Sequence, residues 1–264
     1  MTLFGDTPRA LTVSPDGNTV YAAVFMSGNQ TTVVSEGVVC SGGLTTPCTN
    51  SQGLQSPGGR LPPTTDHLGN NAPDVGIIVK YNQANSRWED ERGRDWSNVI
   101  RFNLPDHDVF AIDATTLDET NSWSGVGTIL FNMAVNPING KVYVANTEAK
   151  NEVRFEGPGT FVTQQGSKPA GVPATVQGDL HRAQITVLDG ANVLTRHLNK
   201  HINYAVVPSP KDTVQNSLAT PMGMAVASNG LTLYVAAFGS SKIGVFNTSA
   251  LEAEPDSFVQ TAAG

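Results

Sequence analysis

The chain has 264 residues, enough for one large all-β domain or two ordinary ones, with a formal net charge of −7 and only 15% charged residues. That balance excludes a nucleic-acid surface, which needs a basic stripe, and no apolar run approaches the ~18 residues of a membrane span. Gly (26) and Pro (16) make turns frequent and argue against long helices.

From the N-terminus, "LTVSPDGNTVYAAV" at Leu11 to Val24 reads as a β-hairpin. Leu11 and Val13 alternate with polar residues, and Asp-Gly supplies the positive φ of a tight turn. The same frame returns as "MAVNPINGKVYVAN" at Met133 to Asn146 and "MAVASNGLTLYVAA" at Met224 to Ala237, with Tyr21, Tyr143 and Tyr234 each ten positions after the opening residue. Gly17 and Gly230 sit six positions into their copies and Gly140 seven, so the loop geometry should differ while the frame is kept. The small residues after each Tyr (Ala22, Ala23, Ala145, Ala236, Ala237) suit strands crowded on both faces. Each hairpin is followed by a further strand pattern. After the first there are two, "VGIIVKYN" at Val75 to Asn82 and "DVFAIDATT" at Asp108 to Thr116; later come "AQITVLDG" at Ala183 to Gly190 and Ile243 to Asn247.

The expected fold class is all-β: a β-propeller of four-stranded antiparallel blades, three to four of them, with long loop insertions. The repeats run near 7–126, 127–201 and 202–264, as one propeller segment over 1–264. The Tyr-to-Tyr spacings of 122 and 91 exceed the about 40–50 residues of an ordinary blade. The excess falls in insertions at 27–73, 83–107 and 155–177. Three blades do not close a ring, so the expectation is a fragment of a longer protein.

The first insertion holds both cysteines, Cys40 and Cys48, in "VVCSGGLTTPCTN". Their loop is turn-forming and has no apolar pattern, whereas free cysteines usually sit in apolar cores, so a Cys40–Cys48 disulfide is expected over two free thiols. A disulfide implies an oxidising compartment, hence a periplasmic or extracellular location. "MTLFGDTPRA" shows no signal peptide, so the natural N-terminus is expected to lie upstream. "WEDERGRDW" at Trp88 to Trp96 reads as a charged hairpin or loop packed by its own aromatics, with an Arg–Trp cation–π pair.

Three groups carry potential chemistry. Asp106, His107 and Asp108 in "LPDHDVFAID" offer ligand or acid–base groups, against a reading as a turn before the strand Val109 to Ile112 with the Asp side chains capping backbone N–H groups. Glu148, Glu152 and Arg154 in "NTEAKNEVRFEG" offer paired carboxylates, against a solvated, charge-alternating strand. His197 and His201 in "RHLNKH", with His181 at a distance, would hold a divalent metal only if the first two shared a helix face. On a strand they stand some 13 Å apart at about 3.3 Å per residue, too far to chelate.

The tetrads Tyr21-Ala22-Ala23-Val24, Tyr143-Val144-Ala145-Asn146 and Tyr234-Val235-Ala236-Ala237 resemble the YVTN-repeat β-propeller family, which implies the fold and little about function. More narrowly, "ILFNMAVNPINGKVYVANTEAKNEVRFEGPG", "RHLNKHINY" and "TPMGMAVASNGLTLYVAAFGSSKIGVF" look like the propeller portion of large exported bacterial proteins that continue into a di-haem cytochrome c peroxidase-like region. That resemblance implies a cytochrome domain as partner and haem c on a downstream region. No CxxCH motif occurs here, so no residue of this chain is expected to bind haem covalently. Two functional readings follow: an exported binding or scaffold module tied to electron transfer, with no catalytic site of its own, and a metal-dependent propeller hydrolase of lactonase type. No acidic position repeats across the three copies, which favours the first.

Overall fold

The computed structural model describes residues 2–35, 37–40, 47–49, 53–59, 76–100, 106–149, 181–203 and 211–256. It also describes the backbone of 154–155, 160–163, 166–169, 177–178 and 262–263. The first hairpin is β1 (Pro8–Val13) and β2 (Thr19–Val24). An inserted unit follows, with β3 (Thr31–Val34), β4 (Cys48–Thr49), β5 (Gln55–Ser56), β6 (Ile77–Asn82) and β7 (Arg87–Glu89). The chain then returns through β8 (Val109–Asp113) and β9 (Glu119–Trp123) to complete a sheet of order β1-β2-β8-β9. Of the two strand patterns after the first hairpin, "DVFAIDATT" therefore joins this sheet. "VGIIVKYN" supplies the middle strand of a separate sheet, β3-β6-β7, inside the insertion.

The second sheet has the same wiring: β10 (Ile129–Val135), β11 (Val142–Ala149), then two ribbons of short strands, then β16 (His181–Asp189) and β17 (Asn192–His197). The ribbons pair β12 (Arg154–Phe155) with β15 (Gln177–Gly178), and β13 (Thr160–Thr163) with β14 (Gly166–Pro169). After a short helix, α1 (Lys211–Asn216), the third sheet is β18 (Pro221–Val226), β19 (Thr232–Ala237), β20 (Lys242–Asn247) and β21 (Ala262–Ala263), with α2 (Thr248–Glu252) between the last two. All pairings within the three sheets are antiparallel.

The repeated sentence has a repeated geometry. Each hairpin loop closes over the same span: Ser14 N–H donates to Thr19 O at 2.9 Å, Asn136 N–H to Lys141 O at 2.9 Å, and Ala227 N–H to Thr232 O at 2.8 Å. Inside that span, Gly17 and Gly230 bond three residues back and Gly140 four, which is the difference in loop geometry expected from their spacing. All three glycines take φ near +75°, a conformation that a Cβ would strain. The first strand of each of the three four-stranded sheets also carries one bulge residue, Arg9, Phe131 or Met222, where the register slips.

The sheets stack in series through their first strands, β1 against β10 and β10 against β18. Because strand residues alternate between faces, each sheet shows Tyr to the next sheet and Leu or Met to the previous one. Tyr21, Ala23, Val109 and Ala111 meet Met133, Val142, Val144 and Leu188 in one apolar layer. Tyr143, Ile185 and Val187 meet Leu233, Val235 and Phe246 in the next. Each fully buried aliphatic side chain there is worth about 1.5–3 kcal/mol relative to exposure. The inserted unit has its own core of Val34, Val39, Ile77, Val79, Trp88 and Trp96. In the "WEDERGRDW" segment both Trp are buried, and the Arg94 guanidinium lies 5.5 Å from the Trp96 ring centroid. Cys40 and Cys48 are bonded to each other in this unit. Among the described residues no helix is long and apolar enough to cross a membrane.

Candidate functional site

In a four-stranded meander, the link from second to third strand lies at the edge where the sheet begins, opposite the hairpin turns. The inserted unit leaves at that link of the first sheet and the ribbons at that link of the second. One edge of the molecule therefore carries both elaborations, and the polar groups gather there.

The way into the inserted unit is Ser27 and the way out is Asp106 to Asp108, 81 positions later. Both are fastened to the segment joining the first sheet to the second. Asp108 is fully buried. Its Oδ2 accepts from Val126 N–H at 2.6 Å, and its Oδ1 lies in close contact with the Ser27 hydroxyl. Ser27 Oγ also stands 2.7 Å from Gly127 O and 3.2 Å from Asn29 N. A serine hydroxyl has one proton, and a carbonyl can only accept, so that proton goes to Gly127 O. With that proton on Gly127 O, the contact to Asp108 Oδ1 is a hydrogen bond when Asp108 is the neutral acid and donates to Ser27 Oγ. Electrostatics agree: burial, and next the adjacent Asp106 carboxylate, push the Asp108 carboxyl up to about 7. Burial also raises Asp106, which accepts from Gly125 N–H at 3.0 Å; Ser124 Oγ donates to the Asp106 main-chain oxygen.

Beside this clasp, Asn29, the third residue of the inserted unit, reaches the second sheet. Asn29 takes a left-handed conformation at φ 46°, tolerable for Asn, and its Nδ2 donates to Glu148 Oε2 at 2.7 Å. Glu148 Oε1 takes the Lys80 ammonium at 2.6 Å. Within the inserted unit, Gln83 donates to Gln30 at 3.1 Å. These bridges frame a cleft of about 520 Å³ between the inserted sheet and the end of β11, lined among others by Lys80, Tyr81, Asn82, Gln83, Glu91 and Glu148.

Gly127 shows how tightly the clasp meets the second sheet. A Cβ there would lie 2.2 Å from Asn146 Oδ1. Asn146 cannot retreat, because its Nδ2 donates to Val144 O at 3.0 Å and to Thr186 Oγ1 at 2.9 Å. Gly127→Ala is expected to cost about 1–3 kcal/mol, the range for overpacking, read as a lower urea midpoint at unchanged slope.

The residues singled out from sequence fall unevenly on this geometry. Asp106 and Glu148 are both part of the edge, Asp106 in the clasp and Glu148 in the cleft wall. His107 points elsewhere: its Nδ1 is 3.2 Å from Ser122 Oγ and its ring packs on Phe4 and Phe110. Glu152 lies outside the described residues, and Arg154 is placed only by its backbone, paired with Gly178 in a ribbon. His197 ends β17 with Nδ1 3.2 Å from Ala183 O, and His201 lies in the turn beyond, with Nε2 3.2 Å from Thr213 O. They do not share a helix, and His181 begins β16. Among the described residues no group of three His, Cys, Asp or Glu side chains is arranged to hold a metal. Asp108, weighed with its two neighbours, is the centre of the clasp, whereas Ser27, Asn29 and Lys80 were not singled out.

No family model matches the chain, and no curated protein matches it. Among solved structures, hydrazine synthase of Kuenenia stuttgartiensis aligns at 14% identity and TM-score 0.41, over 96% of this chain and 68% of that one. A functionally unknown protein from Desulfotomaculum acetoxidans DSM 771 aligns at 12% identity and TM-score 0.26, over 100% and 71%. A candidate 6-phosphogluconolactonase from Bacteroides fragilis NCTC 9343 aligns at 13% and 0.28, over 98% and 69%. These likenesses are distant; the three-sheet arrangement above stands on its strand pairing.

Proposed function

We propose that this chain is an exported β-propeller segment of the YVTN-repeat type, acting as a binding module that offers its elaborated edge to a protein partner. The observation that carries the reading is topological: both large elaborations leave their sheets at the same edge, and the larger one has its own core and forms a cleft against the second sheet. Rigid sheets holding long loops at one edge are a common way to build a recognition surface. The Cys40–Cys48 bond supports an oxidising compartment, periplasmic or extracellular. The partner we assign is a c-type cytochrome region, on the strength of the sequence resemblance alone, with haem on that partner.

Titration calorimetry against a purified di-haem c-type cytochrome peroxidase tests this. Saturable binding by the wild-type chain, lost in a Lys80→Glu/Tyr81→Ala variant with unchanged circular dichroism, is the expected result. No heat of binding from the wild-type chain removes the cytochrome assignment. Binding undiminished in the variant moves the interface away from the cleft.

A further inference from the structure

Among the described residues the inserted unit shares no apolar core with the three sheets. Its cluster around Ile77, Val79, Trp88 and Trp96 takes in no sheet residue, and the clusters of the sheets take in none of the unit. Polar ties at its neck fasten it instead. Gly28 N–H donates to Thr128 O at 2.9 Å, Ser27 Oγ stands 2.7 Å from Gly127 O, Asp106 accepts from Gly125 N–H at 3.0 Å, and Asn29 and Lys80 both reach Glu148. The neck is also wound unfavourably. Gly28, Asn29 and Gln30 are consecutive left-handed residues, at φ 77°, 46° and 50°. Glycine takes that conformation freely, whereas Asn, and still more Gln, holds it where surrounding contacts impose it.

The Ser27 hydroxyl is where these ties can be exchanged. It has one proton and two acceptors within reach, Gly127 O and Asp108 Oδ1. With Asp108 a neutral acid, the acid donates to Ser27 and Ser27 donates to Gly127 O. With Asp108 ionised, the carboxylate has no proton to give, so the Ser27 proton turns to it and Gly127 O loses that donor. The surroundings weigh against the buried anion. Asp106, on the same segment, is a second carboxylate beside it. The link packed against them, Ser124 to Gly127, carries no ionisable side chain. The Lys80 ammonium on β6 acts on Asp106, and Glu148 on β11 engages it. His107 turns away onto Phe4 and Phe110. Against this stand the Val126 and Gly127 N–H groups and the Ser27 hydroxyl, while water would solvate the anion fully.

We propose that the clasp is a pH-operated hinge: protonated Asp108 seats the inserted unit against the second sheet, and ionised Asp108 lets the unit swing out at its neck and widen the cleft. Opening returns the carboxylate to water and lets Asn29 and Gln30 leave the left-handed region, and both changes favour the released form once the Gly127 tie is lost. The midpoint of the change should fall near the Asp108 value of about 7. The hinge does not depend on the cytochrome reading.

Pulsed electron–electron double resonance tests it, with nitroxides on Arg92→Cys of the inserted unit and Ala191→Cys of the second sheet, both exposed turn positions. The native cysteines are bonded to each other and take no label. One distance population is expected at about pH 5, and a second, longer one should appear at about pH 8.5. Asp108→Asn, in the doubly labelled chain, should keep the short population at both values. Ser27→Ala removes the exchanged proton and should show the longer population at both. A wild-type distance that is the same at the two pH values overturns the proposal, as does an Asp108→Asn or Ser27→Ala chain that follows the wild-type response. A longer population accompanied by lost circular dichroism is unfolding, not a hinge, and overturns it too.

Discussion

Replacing Asp108 with Asn is expected to remove a downward slope in stability between about pH 4 and pH 7. The Asp108 carboxyl sits near 7 in the folded chain against 3.8 when exposed. A group raised in this way stabilises the fold fully below its unfolded value, and that contribution is lost as pH rises through the folded value. Asparagine reproduces the neutral acid: its amide donates toward Ser27 while its oxygen accepts from Val126 N–H. The wild type and Asp108→Asn should therefore match near pH 3, below the unfolded value. By pH 8 the variant should be ahead by on the order of 2–4 kcal/mol, below the full linkage limit because the Val126 amide still favours the anion. Asp108→Ala behaves differently, since it strands buried donors at about 1–3 kcal/mol each and should destabilise at every pH. Urea midpoints across the pH series measure all three chains. A variant whose slope matches the wild type would show that Asp108 is ionised throughout.

Tyr143→Ala should be among the most damaging single changes, at about 3–5 kcal/mol, the range for deleting a buried aromatic ring. The ring is fully buried between the second and third sheets. Its hydroxyl donates to Glu252 and accepts from Asn136 Nδ2 at 3.1 Å. Burial, followed by the Glu252 carboxylate, raises the phenol above its ordinary value. Tyr143→Phe keeps the ring and should cost only about 0.5–2 kcal/mol, because Glu252 retains Asn139 at 3.0 Å and Lys141 at 3.2 Å while Asn136 keeps Gly230 O at 2.9 Å. Thermal unfolding of the two variants separates packing from hydrogen bonding. Equal losses would place the stabilisation in the hydroxyl.

Much of this architecture was legible in the chain because its signals are local. Asp-Gly and Asn-Gly turns within a ten-residue frame mark three hairpins, and the one-residue offset of Gly140 shows as a different loop bond. The choice between the two strand patterns after the first hairpin was not legible. Both "VGIIVKYN" and "DVFAIDATT" fit a strand, and only pairing with β2 distinguishes them. The edge was half legible. Asp106 and Glu148 stand out by residue type, but their partners lie far along the chain: Ser27 meets Gly127 across 100 positions and Asn29 meets Glu148 across 119. No local pattern encodes such pairs. The nearest signal is that Ser27 is the first polar side chain after β2, where a long excursion begins. Tyr143 and Tyr234 make the same point, since similar local sentences give one buried ring and one half-exposed ring, decided by what stacks on each sheet.

The split wiring of the first sheet bears on how the polypeptide reaches its final form. β2 cannot bond to β8 until the whole inserted unit has been synthesised, whereas β19 and β20 meet almost at once. Loop-closure entropy grows only with the logarithm of the intervening length, about 0.6 kcal/mol per doubling, and an insertion that collapses first around Trp88 and Trp96 brings its two ends together early. The satellite core then acts as a pacemaker for its host: weakening it should slow refolding of the first sheet more than it lowers the final stability of that sheet.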